Sequence, residues 1–283
     1  MANTLMNTTN NMTHKSRLYT FLNEEKTFSL LVFDANDFFG TYWEKHPHST
    51  PSTKQFLTES ILSLHPLINF LKPTEHLGIY LESKDDAHPF QFNLEMFEHG
   101  TSRSLITPHS VQTVPSKFTG QCRMVKFLPH QHAPYQSLLS FNQAEYIEII
   151  QQIFSQSYQL DCDLYVNADQ FKTIFAYKLP SESQKTAQAW LNEILPKLKP
   201  YLEGDIHGVH DTVKFFENIH LQYQSSKVIT YHCHCSRSRF QKHLYSLGSA
   251  EIHKILREDG NIKVTCDYCQ SEYVFTDVDF IWQ

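Results

Sequence analysis

The sequence predicts an α+β protein, with a mixed sheet-and-helix N-terminal domain, a helical linker and a small C-terminal metal-binding module. Three observations carry that expectation. Before residue 180, stretches of period-2 alternation interleave with amphipathic helical patterns. Between 181 and 230 the chain turns polar and helical in pattern, with Pro196 and Pro200 inside it. Four of the six cysteines then crowd together as Cys233-x-Cys235 and Cys266-x2-Cys269.

Residues 1–16 are mostly Asn, Thr, Met and His and lack the apolar core of a secretory signal, so they are expected to form a disordered tail. Asn7-Thr8-Thr9 and Asn11-Met12-Thr13 fit the glycosylation pattern, but without a signal peptide they are chance matches in a polar segment. A cytoplasmic placement follows as the expectation. In a reducing compartment, clustered cysteines point to metal or redox chemistry rather than a permanent disulfide framework.

Residues 17–180 form the expected α+β core. It starts with the apolar run Phe28–Phe33 and a helix carrying Phe56, Ser60, Ile61 and Leu64 on one face. Leu77, Ile79 and Leu81 make one period-2 face and Phe90, Phe92, Leu94 and Met96 another, joined by the polar segment Ser83–His88. A helix is expected from Asn142, with Glu145 completing a capping box and Tyr146, Ile149, Ile150, Ile153 and Phe154 along one stripe. Leu164 and Val166, the turn residues Asn167–Asp169, and Phe171, Thr173, Phe175, Tyr177 and Leu179 read as a second hairpin.

In the linker, 181–230, Trp190, Ile194, Leu195 and Leu198 repeat helically, followed by Val213, Phe216 and Ile219. An interior proline costs about 3 kcal/mol, so this segment leans on packing for its stability. Two readings stay open: kinked helices permanently docked, or a segment that folds conditionally.

The composition narrows the function classes. The 283 residues carry a net charge of −6 and no apolar run near the length of a membrane span, which excludes an integral membrane protein and disfavours a nucleic-acid binder. Eight glycines leave little for phosphate-cradling loops, and no Ser/His/Asp, P-loop or H-E-x-x-H arrangement points to an enzyme.

The spacing C-x-C-x30-C-x2-C can close a tetrahedral thiolate shell around zinc, with Cys233, Cys235, Cys266 and Cys269 as candidate ligands. Between the pairs, Phe240, Leu244 and Leu247 repeat up to Gly248; Ser249 can cap a turn set with Ile252, Ile255 and Leu256; and Asp259-Gly260 leads into Ile262 and Val264. Tyr273 and Phe275 follow. Residues 231–283 hold too few large apolar side chains for an independent core, so zinc would supply much of the folding free energy.

Three readings of this module stand. It is a structural zinc knob, a zinc-ribbon nucleic-acid module, or a redox switch whose metal-held thiolates attack an oxidant and expel the metal. Six Lys+Arg against seven Asp+Glu from Tyr231 onward make a poor phosphate footprint. Of the seventeen histidines, the pairs His46/His48, His130/His132 and His207/His210 are expected on surface loops. Alternation aims His232 and His234 away from the face that Cys233 and Cys235 share. Cys122 and Cys162 are expected as buried apolar residues outside the site.

The module resembles the Hsp33 family of redox-regulated chaperones. The likeness rests on Cys233-His234-Cys235-Ser236-Arg237-Ser238-Arg239, Leu244-Tyr245-Ser246-Leu247-Gly248, Glu258–Cys269 and Tyr273-Val274-Phe275. Tyr135-Gln136 and the F-x-Q-S-x-Q arrangement from Phe154 to Gln159 follow the family order upstream, and the order fits from about Leu18 onward. The chain departs from the family at Ser238, where Glu is usual, and in having few glycines, Gly40, Gly78, Gly100 and Gly120, in the first domain.

The resemblance implies one zinc per chain in a reduced, inactive state and no catalytic residue. On oxidation it implies disulfides Cys233–Cys235 and Cys266–Cys269, loss of zinc and unfolding of the redox-switch domain, 231–283. The linker would loosen, and the protein, as a homodimer, would hold unfolded or oxidatively damaged clients without ATP, nucleic acid or membrane as partners. Arg237 and Arg239 would favour thiolates at the first pair, or else line a solvated helix face.

Overall fold

The computed structural model describes residues 15–85, 89–129, 133–204, 206 and 208–280. The glycosylation-like sites of the tail, most of the tail itself, and His130, His132 and His207 lie outside them. In chain order the elements begin with β1 (Arg17–Asn23), β2 (Phe28–Asp34), α1 (Asn36–Lys45), α2 (Pro51–Leu64), β3 (His76–Ser83), β4 (Phe90–Phe97), β5 (Thr101–Thr107), β6 (Lys117–Phe127) and β7 (Tyr135–Glu145). There follow α3 (Tyr146–Gln152), β8 (Cys162–Asn167), β9 (Lys172–Lys178), α4 (Ala187–Ile194), α5 (Lys199–Leu202), α6 (Val209–Asn218), β10 (Leu221–Val228) and β11 (Thr230–Tyr231). The C-terminal part holds α7 (Arg237–Tyr245), α8 (Ser249–Asp259), β12 (Ile262–Thr265) and β13 (Glu272–Phe275).

The chain divides into two compact units, one from the residues up to Gly40 with Phe154–Thr230, the other from Thr41–Ile153 with the chain from Tyr231 on. The first is built on a five-stranded sheet of order β10-β1-β2-β9-β8. β2 is buried along nearly its whole length because both its faces are covered, which is why it reads as a continuous apolar run rather than an alternating one. Helices α4 to α6 lie on one face. Trp190, Leu191, Leu198, Tyr201, Leu202 and Phe216 join Phe21, Phe28, Leu30, Val32 and Ile174 in one core.

Two features of this unit escape the sequence pattern. The helical reading of the linker stops at His220, where a left-handed residue (φ 67°) leads into β10, which pairs antiparallel with β1. Lys172 opens β9 fully buried, its Nζ donating to the Tyr201 carbonyl at 2.6 Å and sitting 4.3 Å from the Tyr201 ring centroid. The end of the expected tail is anchored as well, since buried Ser16 accepts from Phe38 N–H through Oγ and from Ile229 N–H through its carbonyl.

The second unit is built on a six-stranded sheet, β11-β5-β4-β3-β6-β7. The first expected hairpin forms, with Leu77, Ile79 and Leu81 opposite Met96, Leu94 and Phe92. Their buried face takes Phe56 of α2, edge-on to Phe90 and Phe92 at 5.4 and 5.6 Å. Gly120 on β6 is required by close approach, because a Cβ there would stand 2.0 Å from the Glu82 carbonyl oxygen. The expected capping box is displaced: Asn142–Glu145 extend β7, and Glu145 caps α3 while its N–H is taken by Glu148 at 2.8 Å. The alternating strand consumes the residues that could also have begun a helix, because β6 offers them partners from Lys117 onward. Among the described residues no helix is long and apolar enough to cross a membrane.

Candidate metal centre

The cysteine module is a two-helix, one-hairpin unit. Ser236 Oγ accepts from Arg239 N–H at 3.3 Å and starts α7 directly after the first cysteine pair. Gly248, not Ser249, occupies the cap position of α8, at a positive φ of 85° that suits glycine. Gly260 ends the helix in the left-handed region and turns the chain into β12. The module's core is small: Ile252, Ile262, Phe275 and Phe280 are buried, with Phe240, Leu244 and Tyr245 against them. Leu247, expected on the apolar stripe, is 53% exposed because α7 has already ended.

Cys233 and Cys235 lie on the extended segment between β11 and α7, Cys266 and Cys269 on the tight connection from β12 to β13. Within that connection Cys266 N–H donates to the Ser271 carbonyl at 3.0 Å and Gln270 N–H to the Cys266 carbonyl at 2.8 Å, with Gln270 at φ 57°. These bonds leave the N–H groups of Tyr268 and Cys269 aimed at the Cys266 sulfur. The four sulfurs all lie within 4.8 Å of one another, and the shortest contacts run between the pairs, Cys233–Cys266 at 3.6 Å and Cys235–Cys269 at 3.4 Å. Four sulfurs each ~2.3 Å from one tetrahedral ion stand ~3.8 Å apart, so the cluster fits a zinc ion. Among the described residues it contains no histidine.

The thiols are not equivalent. Burial pushes Cys233 and Cys266 up. Burial opposes the anion at Cys269 too, but the Ser271 hydroxyl and N–H, with Cys235 and Cys233, outweigh it and bring this thiol down to about 7. Cys269 is therefore held as a thiolate more readily than Cys233 or Cys266. It opens onto a groove of about 540 Å³ lined by Glu44–Ser49, His109, Gln270 and Ser271. The Tyr273 hydroxyl stands 3.2 Å from the Cys235 sulfur.

The remaining cysteines stay apart. Cys122 is fully buried on β6 and burial raises it to about 12; Cys162 is only half-buried, but burial with Asp163 and Asp161 raises it equally far. Arg237 does not attend the thiols. It grips Asp279 at 2.7 Å and covers the Phe275 ring at 4.6 Å, bracing the chain end against the module. The cation beside the cysteines is Arg103 of β5, which lies against Cys233.

Arg103 belongs to a set of residues that no local pattern in the sequence marks. Tyr268, between the second pair of cysteines, donates its hydroxyl to Glu95 Oε1 at 2.7 Å. Arg103 holds Glu95 Oε2 through Nε at 2.8 Å and Nη2 at 2.6 Å, and its guanidinium lies 4.0 Å from the centre of the Tyr268 ring. The Tyr268 carbonyl accepts from the Tyr231 hydroxyl at 3.0 Å and lies 2.7 Å from His46 Nε2. His46, expected on a surface loop, is instead part-buried, its Nδ1 2.8 Å from the Tyr42 carbonyl. Burial lowers its pKa, so the neutral ring donates to one carbonyl at a time. His234 turns from the sulfurs to meet Phe97 edge-on at 4.6 Å, with His232 beside it at 4.8 Å. The chain order hides these contacts: α1, β4 and β5 precede the cysteines by well over a hundred residues.

Comparison with known proteins places the chain beside the 33 kDa chaperonins. A family model described as "Hsp33 protein" matches residues 16–276. A 33 kDa chaperonin of Nitrosococcus oceani is 28% identical over 149 residues, covering 52% of each chain. One from Shewanella oneidensis is 29% identical over 170 residues, 56% of this chain and 57% of the relative. The chain spans about half the length of the curated relatives it matches. The crystal structure of the 33 kDa chaperonin (heat shock protein 33 homolog) from Thermotoga maritima shares the fold at TM-score 0.69 and 17% identity, over 94% of this chain and 96% of that one.

Proposed function

The chain is a member of the Hsp33 family, and on that premise we propose that it is a holdase chaperone: without ATP, and with no catalytic residue, it binds unfolding proteins once its cysteine centre is oxidised. The observation that carries the reading is the convergence of Cys233, Cys235, Cys266 and Cys269 within 4.8 Å in a module with a small core. In the reduced state these four thiolates hold one zinc ion, whose binding supplies folding free energy the module lacks. Cys269 borders an open groove and is the sulfur an oxidant reaches first.

With hypochlorous acid as oxidant, a thiolate attacks chlorine and hydroxide leaves; a second thiolate displaces chloride and the disulfide forms. Each disulfide removes two electrons from a cysteine pair. Family membership implies Cys233–Cys235 and Cys266–Cys269 as the pairs, although in the reduced fold the shortest sulfur contacts run across them, Cys233–Cys266 at 3.6 Å and Cys235–Cys269 at 3.4 Å. The redox-switch domain, 231–283, then unfolds, the linker, 181–230, loosens from the core, 17–180, and the apolar faces of α4 and α6 become available to unfolded or oxidatively damaged clients. The active form is assigned as a homodimer acting in the cytoplasm.

The test is light scattering of a thermally unfolding client with reduced and hypochlorite-treated protein, while zinc release is followed by a colorimetric chelator and disulfides are mapped by mass spectrometry. Suppression after oxidation alone, with one zinc released per chain, is the expected result. Equal suppression in both states would sink the switch.

A further inference from the structure

Tyr268 lies between two cysteines of the centre, yet every polar contact described for its side chain is with the six-stranded sheet. Its hydroxyl, ring and carbonyl are each engaged separately: the hydroxyl by Glu95 at 2.7 Å, the ring by Arg103 at 4.0 Å, the carbonyl by Tyr231 at 3.0 Å and by His46. The Glu95–Arg103 pair behind it is largely shielded, with side chains 16% and 12% exposed. Such a pair is costly to leave incomplete, and because both guanidinium nitrogens donate to Oε2, the other carboxylate oxygen, Oε1, is left to the tyrosine hydroxyl. Beside it, His232 N–H donates to the Ser102 carbonyl at 2.9 Å, so the segment bearing Cys233 is stitched to β5 as an edge strand.

We infer that Tyr268 is a positioning residue that latches the cysteine centre to the outer face of the six-stranded sheet, so that release of the Tyr268–Glu95–Arg103 contact transmits oxidation at Cys266 and Cys269 to β5. The inference rests on the redox reading of the centre. The physical reason is length: a Cys266–Cys269 bond, ~2.05 Å between sulfurs, needs those atoms closer than a shared metal ion holds them. Drawing them together reshapes the two residues between them, while Glu95 and Arg103, fixed on adjacent strands, cannot follow. The latch yields, and with it goes the edge pairing of β5. In the reduced protein the same contact resists opening and sets how readily the centre gives up its metal.

The experiment compares full-length, zinc-loaded wild type with Tyr268→Phe and Glu95→Gln. Zinc release under a fixed oxidant dose is read by a chelator, and amide hydrogen exchange over Thr101–Thr107 is read before and after oxidation. Both variants are expected to release zinc about tenfold faster, the size of one charge-assisted hydrogen bond. Exchange at β5 is expected to rise in the reduced variants toward the level wild type reaches on oxidation. Glu95→Gln also leaves the Arg103 charge uncompensated, so its effect is expected to be at least that of Tyr268→Phe, and the double variant adds little beyond Glu95→Gln alone. Glu95→Gln alters no residue of the cysteine segment itself and decides the matter if Tyr268→Phe loads zinc poorly. Wild-type release rates and exchange in both variants would overturn the latch. Neither readout involves a client, so failure of the holdase reading shows separately, as absent suppression by oxidised wild type.

Discussion

The indole of Trp190 lies flat against the ring of Phe28, centroids 4.8 Å apart and planes 6° from parallel. This contact seats α4 on the five-stranded sheet and makes the linker sequence part of a core rather than a tether. Replacing Trp190 by Ala removes a core aromatic worth about 3–5 kcal/mol. The expected outcome is a lower urea midpoint and, on the proposed function, partial suppression of client aggregation by the reduced protein. Urea titration followed by circular dichroism, with light scattering, checks both; an unchanged midpoint contradicts the packing argument.

His65 supplies a pH test. It is fully buried, with Nδ1 2.6 Å from the Ile61 carbonyl and Nε2 2.8 Å from Ser102 Oγ, and burial pushes its pKa from 6.5 down to about 4. Between those values the unfolded chain binds a proton that the folded ring refuses. Stability from this group is complete above pH 6.5 and drains away as pH falls toward 4, by up to about 3 kcal/mol. Denaturation midpoints measured from pH 7.5 to 4.5 should fall in wild type and flatten in His65→Gln.

Gly120 tests the register of the second sheet. A methyl group there would meet the Glu82 carbonyl oxygen at 2.0 Å, and backbone cannot swing aside as a side chain would. Gly120→Ala is expected to cost at least the ~1–3 kcal/mol typical of overpacking, seen as a lower thermal midpoint. A midpoint matching wild type would mean that β3 and β6 part easily.

Cys266→Ser separates structure from switching. The expected result is loss of zinc by metal analysis together with client holding that needs no oxidant. Aggregation of the variant itself, without holding, would make the centre a structural knob.

Much of this molecule is legible along the chain. The β3–β4 hairpin follows from alternation at Leu77–Leu81 and Phe90–Met96, the two helices of the module from the Phe240/Leu244 and Ile252/Ile255/Leu256 repeats with stops at Gly248 and Gly260, and the four-sulfur cluster from spacing alone. The helix expected from Asn142 starts instead at Tyr146, because a capping motif and a strand end can share residues and β6 supplied the partner that decided between them. β10 was missed because its alternation, Leu221, Tyr223 and then Ser225, is weak and polar, and its place at the sheet edge demands little burial.

Local chemistry determined that four cysteines would meet. Thiolates at short spacing need no distant partner to form a shell, only the turn and helix caps that neighbouring residues provide. What the centre is fastened to was decided by tertiary structure alone. Glu95, Arg103 and His46 are ordinary polar residues in their own segments, and they acquire a role because strand pairing brings two of them side by side and the chain's return through β11 lays Tyr268 across them. A sequence records such contacts nowhere, since hydrogen bonds between residues far apart leave no periodicity to read.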